Sequence, residues 1–87
     1  MSFEVRLSRD SASYLQRLPA GAKNRVLARL RELAEDPIGN SKRLQDAGQR
    51  RSTRVGGLRI ILTIDLERQL VEVSYIGPRG QVYRRLR

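Results

Sequence analysis

The residues best suited to chemistry in this chain are arginines and one tyrosine. Arg54 and Arg59 flank a glycine pair in Arg54-Val55-Gly56-Gly57-Leu58-Arg59. The Gly-Gly pair, followed by the alternating run Leu58–Asp65, reads as a hairpin with a two-residue loop. That loop sets Val55 opposite Leu58 and Arg54 opposite Arg59. Like charges directly across a strand pair are destabilising unless the long stems splay into water or an anion sits between them. A guanidinium presents a planar fork of donors that fits a phosphate in bidentate fashion. Arg79 follows a Gly77-Pro78 break after the last strand and can bring a third guanidinium to the same end of the sheet. Tyr83 belongs to no apolar stripe and lies among Arg79, Arg84 and Arg85. It can clasp the C-terminal segment together with Val82 and Leu86, stack on a base, or move a proton.

The inventory narrows the chemistry. The 87 residues include no His and no Cys, so thiol nucleophiles, disulfides, imidazole bases and Cys/His zinc sites are excluded. The formal charge is +9, and all but two of the basic residues, Lys23 and Lys42, are arginine. A GC-rich genome favours arginine whatever the function, so position matters more than total. Residues 37–87 carry 11 basic against 4 acidic side chains, whereas residues 1–36 are nearly balanced. The charge points to an anionic partner: nucleic acid, an acidic protein or a membrane surface. There is no signal-like segment and no apolar run of membrane-spanning length, so the expected location is cytoplasmic.

The elements that must position these residues follow from periodicity. Phe3–Leu7 alternates as a short strand. Ser8 and Asp10 suit a helix start, with Ala12, Leu15 and Leu18 inward and Pro19 as the stop. Ala20-Gly21 reads as a turn. Residues 22–35 form a second helix with Val26, Leu27, Leu30, Leu33 and Ala34 on one face and Arg25, Arg29, Glu32 and Asp36 on the other. Residues 38–50 lack periodicity and read as a loop, with Leu44 as an anchor into the core. Residues 51–55, 58–65 and 70–76 form a meander. A turn near Glu67-Arg68 sets Val71 against Ile64, Val73 against Leu62 and Tyr75 against Ile60, with the core face on Leu58, Ile60, Leu62 and Ile64. The reading is a single α+β domain over residues 1–87, in the order β-α-α-β-β-β. The sheet is mostly antiparallel, a helical hairpin covers one face, arginines occupy an open opposite face, and a short basic segment ends the chain.

This order, with Leu33-Ala34-Glu35-Asp36-Pro37 closing the second helix, Arg54-Val55-Gly56-Gly57-Leu58-Arg59-Ile60 at the hairpin and Gly77-Pro78-Arg79-Gly80-Gln81-Val82-Tyr83-Arg84 at the end, resembles the RelE/ParE toxin superfamily. A RelE-like member would be a ribosome-dependent mRNA endonuclease. It would cut mRNA in the A site through attack of the ribose 2′-OH on the adjacent phosphate, leaving a 2′,3′-cyclic phosphate. The resemblance implies that Arg54, Arg59, Arg79 and Tyr83 are catalytic. Candidate RNA-phosphate contacts are Lys42, Arg43, Arg50, Arg51, Arg84 and Arg85. A tyrosine is a poor base at neutral pH, and surrounding guanidiniums favour its phenolate form.

Two departures stand out: Ser52 occupies a position that many RelE-type members fill with a basic residue, and no histidine precedes Arg79. The latter leaves the leaving-group acid unassigned. The implied partners are a cognate antitoxin, a 70S-type ribosome and mRNA, with no membrane, metal or small-molecule cofactor. The alternative within the superfamily is a ParE-like inhibitor of DNA gyrase that has no nuclease activity.

Overall fold

The computed structural model describes residues 2–45 and 48–78. Arg79, Tyr83, Arg84 and Arg85 lie outside the described residues. Strand β1 (Glu4–Leu7) leads into helices α1 (Arg9–Arg17) and α2 (Ala20–Glu35), then strands β2 (Lys42–Arg43), β3 (Arg51–Val55), β4 (Leu58–Asp65) and β5 (Leu70–Pro78). The five strands lie in the order β1-β5-β4-β3-β2. β1 runs parallel to β5 and the other pairings are antiparallel, so the sheet is mixed.

Ser8 starts α1. Its Oγ accepts from the Ser11 amide at 3.1 Å and donates to the Ser11 Oγ at 2.8 Å, while Asp10 sits in the favourable first turn. The break between the helices is shorter than expected. Ala20 and Gly21 form the first turn of α2, because Pro19 serves as its N-cap and accepts from the Lys23 amide through its carbonyl. A proline that ends one helix also pre-sets the φ that opens the next. At the other end of α2, the Asn40 side chain donates to the Glu32 and Asp36 carbonyls at 2.9 and 3.0 Å and satisfies groups that the helix leaves open.

Val26, Leu30 and Leu33 of α2 and Leu15 of α1 pack on Val55, Ile60, Leu62, Val71, Val73 and Ile76 of the sheet, forming one buried cluster. The β3–β4 register is the one expected, from Val55 opposite Leu58 to Ser52 opposite Ile61. Gly56 has φ +59° and Gly57 has no positive φ, which is the pattern of a two-residue type II′ turn. Asp65 Oδ1 accepts from the Arg68 amide at 3.0 Å and shapes the β4–β5 turn, which closes with Gln69 in the left-handed region.

β5 continues through Gly77 and Pro78, which pair with Arg59 and Leu58 where a break is expected, and three further expectations are corrected. Tyr75 does not pair with Ile60. The register shifts between Ile61 and Leu62, so Ile76 faces Ile60 and Tyr75 faces Ile61. Ser74 is the inserted residue, and it falls where β1 ends. There the chain turns into α1 and Ser8 donates its amide to the Val73 carbonyl at 2.9 Å. An inserted residue reverses which side chains face the core beyond it. The second correction concerns the face away from the helices, which is not uniformly open. Ile61 and Arg59 are buried at 2% and 9% exposure, and the bulge has brought Tyr75 onto that face beside them. The third concerns residues 38–50, which contain a two-residue strand, Lys42–Arg43, paired with Arg51 and Ser52. Leu44 is half-buried and outside the core cluster; its amide instead donates to the Arg50 carbonyl.

Candidate functional site

The site is built on the β3–β4 hairpin. A two-residue loop makes Val55 and Leu58 a hydrogen-bonded pair and leaves the next pair, Arg54 and Arg59, non-bonded. In such a pair the Cα atoms approach to about 4.5 Å and the side chains lie closest. The two guanidinium stems therefore rise side by side from one face of the sheet. Arg54 is exposed, whereas Arg59 is almost wholly buried along its length.

A third arginine reaches this edge from behind. Arg29 of α2 donates through Nη1 to the Thr53 hydroxyl, and to the Arg54 carbonyl at 2.9 Å. Its Nε donates to Glu32 at 2.8 Å. The helical pattern places Arg29 on the solvated side of α2, but it lies on the flank next to the buried Leu30 and its long arm crosses to β3. β2 covers β3 only at Arg51 and Ser52, so the edge beyond them is left for Arg29 to hold. The sequence signal for this contact is faint: an arginine beside the apolar stripe with a glutamate three positions on.

Together these groups border a cleft of about 520 Å³, lined by Arg29, Lys42, Arg43, Arg54 and Arg59 with Ser52, Thr53 and the 39–44 loop. Among the described residues, five cationic side chains and no carboxylate face it. Of the sequence-predicted residues, the structure thus brings together Arg54, Arg59, Lys42 and Arg43.

Arg50 and Arg51 go elsewhere. Arg50 is exposed outside the cleft. Arg51 donates to the Ser41 Oγ at 2.7 Å and to the Ile38 and Ser41 carbonyls at 3.2 and 2.9 Å. Its guanidinium holds the loop that forms one wall of the cleft. Arg79, Tyr83, Arg84 and Arg85 fall outside the described residues. Among the described residues no three carboxylates gather in a way that could hold a metal ion, and no helix is long and apolar enough to cross a membrane.

A hairpin that projects paired arginines from a helix-backed sheet is what the superfamily resemblance leads one to expect, and comparison with known proteins decides the matter. The family model for the ParE toxin of type II toxin-antitoxin systems matches residues 5–83. The chain belongs to that toxin family. Solved structures agree on the fold of the toxin. It is similar to the RelBE2 toxin-antitoxin complex of Mycobacterium tuberculosis, with TM-score 0.81 and 23% identity over 92% of this chain and 94% of that one. The archaeal RelE-RelB complex of Pyrococcus horikoshii matches with TM-score 0.80 and 22% identity, covering 93% and 99% of the two chains. The isolated RelE toxin of E. coli matches with TM-score 0.78 and 19% identity, covering 98% and 95%. No curated protein sequence matches the toxin.

Proposed function

We propose that the toxin is a ribosome-dependent endoribonuclease that cuts mRNA in the A site and is neutralised by a cognate antitoxin. The observation that carries this reading is the pair Arg54 and Arg59, side by side across the hairpin at a cleft where the described lining residues include five cations. Two guanidiniums at one place on the sheet offer a fork of donors on either side of an anion. A scissile phosphate is an anion of the right size and shape. As the 2′-OH attacks, negative charge builds on the non-bridging oxygens, and preorganised guanidiniums aimed at that position stabilise the transition state. Arg29 fixes the backbone from which Arg54 projects, so the donors need not reorganise during the reaction.

In this reading Arg79 adds a third guanidinium, Tyr83 takes the 2′ proton, and Lys42 and Arg43 seat neighbouring phosphates. The antitoxin partner is supported by the structural relatives, several of which are toxin-antitoxin complexes. The test is primer extension on ribosome-bound mRNA, together with chemical identification of the new 3′ end. Cleavage that requires the ribosome and leaves a 2′,3′-cyclic phosphate is expected. Intact mRNA alongside inhibited gyrase would replace this reading with the gyrase-inhibitor one, which the ParE name of the matching family model favours.

A further inference from the structure

The bulge at Ser74 takes Tyr75 out of the aliphatic stripe and sets it on the arginine face, opposite Ile61. The next β5 position on that face is Gly77, the cross-strand partner of Arg59. A Cβ at Gly77 would lie 2.4 Å from the Tyr75 hydroxyl oxygen and 2.7 Å from Cζ, so the phenol end of the ring occupies the space that a side chain there would need. Gly77 does not have a left-handed φ, so its backbone conformation is open to any residue. What the glycine provides is room for the ring. Cross-strand partners stand about 4.5–5.5 Å apart, which places the phenol roughly one strand spacing from the Cα of Arg59.

An aromatic ring on the sheet face that also carries guanidiniums offers the combination by which single-stranded RNA is held: cations for the phosphates and a flat apolar surface for an adjoining base. We propose that Tyr75, which lies outside the cleft lining and borders a neighbouring cavity with Tyr14 and Arg17 of α1, is an RNA-contacting residue next to this site, seating the nucleotide beyond the phosphate held by Arg54 and Arg59. The proposal rests on the nuclease reading. Its competitor is a purely structural role, in which the ring covers Gly77 to support the sheet and touches no RNA.

Two independent variants separate these roles. Tyr75→Leu keeps apolar cover and loses the ring, and KM for ribosome-bound mRNA is expected to rise about 10-fold, the scale of one lost stacking contact. Tyr75→Phe, which keeps the ring, should remain within about 3-fold of wild type on the same scale. Gly77→Ala leaves Tyr75 in the sequence but fills the space beneath it, and should displace the ring and reproduce the Tyr75→Leu defect. In the double variant the two effects should not add, because both remove one contact.

Melting temperature, measured in parallel, reports the structural role. Wild-type KM in both Tyr75→Leu and Gly77→Ala, with cleavage intact, overturns the proposal while leaving the nuclease reading standing. Additive KM effects in the double variant overturn it as well. A wild-type protein that cuts no ribosome-bound mRNA removes the nuclease reading and this proposal together.

Discussion

Arg51 and Arg54 stand three residues apart on β3 and therefore leave opposite faces of the sheet. Both are single positive charges in the same basic run. Arg51 turns back on its own chain and spends its donors on Ser41 and the Ile38 carbonyl. Arg54 is exposed, and its cross-strand neighbour is another arginine. The first is balanced by acceptors within the protein, and the second stands beside a like charge. A surplus of arginine in the sequence therefore mixes cations whose donors are spent on their own loop with cations that face one another across the hairpin. Arg59 sharpens the contrast, since it is nearly as buried as a core residue yet shares the face of Arg54.

The largest expected effect is on chemistry. Arg59→Ala should slow cleavage of ribosome-bound mRNA about 10²–10³-fold, by analogy with removal of one preorganised transition-state donor. Arg51→Ala should leave the rate per folded molecule within a few-fold of wild type. Equal losses in single-turnover assays of the two variants would erase the distinction between them. Next comes salt. With roughly four phosphates neutralised, ribosome affinity should drop about 100-fold between ~50 and ~200 mM salt. A flat salt profile in a sedimentation or filter-binding assay would assign the cationic cleft to the antitoxin instead. Third is stability. Arg51→Ala removes the guanidinium bonds to the Ser41 Oγ and to the Ile38 and Ser41 carbonyls, while the Ser41 Oγ keeps its bond to the Pro37 carbonyl, and should cost about 1–3 kcal/mol in urea unfolding. A loss of under ~0.5 kcal/mol, the range of an ordinary surface substitution, would make Arg51 a surface cation like any other.

How far the sequence reveals this contrast can be traced to particular residues. The hairpin register is legible because Gly56-Gly57 fixes the loop and the alternation of Leu58, Ile60, Leu62 and Ile64 after it agrees. Facing arginines at 54 and 59 follow from that register without any tertiary information. The bulge is not legible. Val71, Val73 and Tyr75 continue a period of two, and Ile76 is as apolar as Tyr75, so nothing in the pattern announces an inserted Ser74. Its cause is tertiary, since β1 ends beside Val73. β2 is hidden for a related reason: two charged residues carry no periodicity, and their pairing depends on Arg51 holding the preceding loop. Arg29 escapes a helical-wheel reading because a long side chain rooted on the flank of an apolar stripe reaches past it.

The smallest effect has the most informative sign. Arg54 is exposed, makes its backbone contact through its carbonyl, and faces Arg59 across a non-bonded pair. Replacing it with threonine retains that carbonyl, suits a strand, and removes the like-charge neighbour. Arg54→Thr should therefore stabilise the free protein by about 0.2–1 kcal/mol at low salt, the scale of a cross-strand pair term. Near ~1 M salt, where the screening length is about 3 Å, the gain should disappear. Cleavage should fall by orders of magnitude in the same variant, so stability and activity move in opposite directions. This is the expected cost of a site kept electrostatically strained for its ligand. Urea unfolding of both proteins at two ionic strengths, paired with the cleavage assay, measures it directly. If Arg54→Thr were destabilising at low salt, the two guanidinium groups would have to be mutually accommodated in the free protein, and the case for an anion between them would lose its energetic basis.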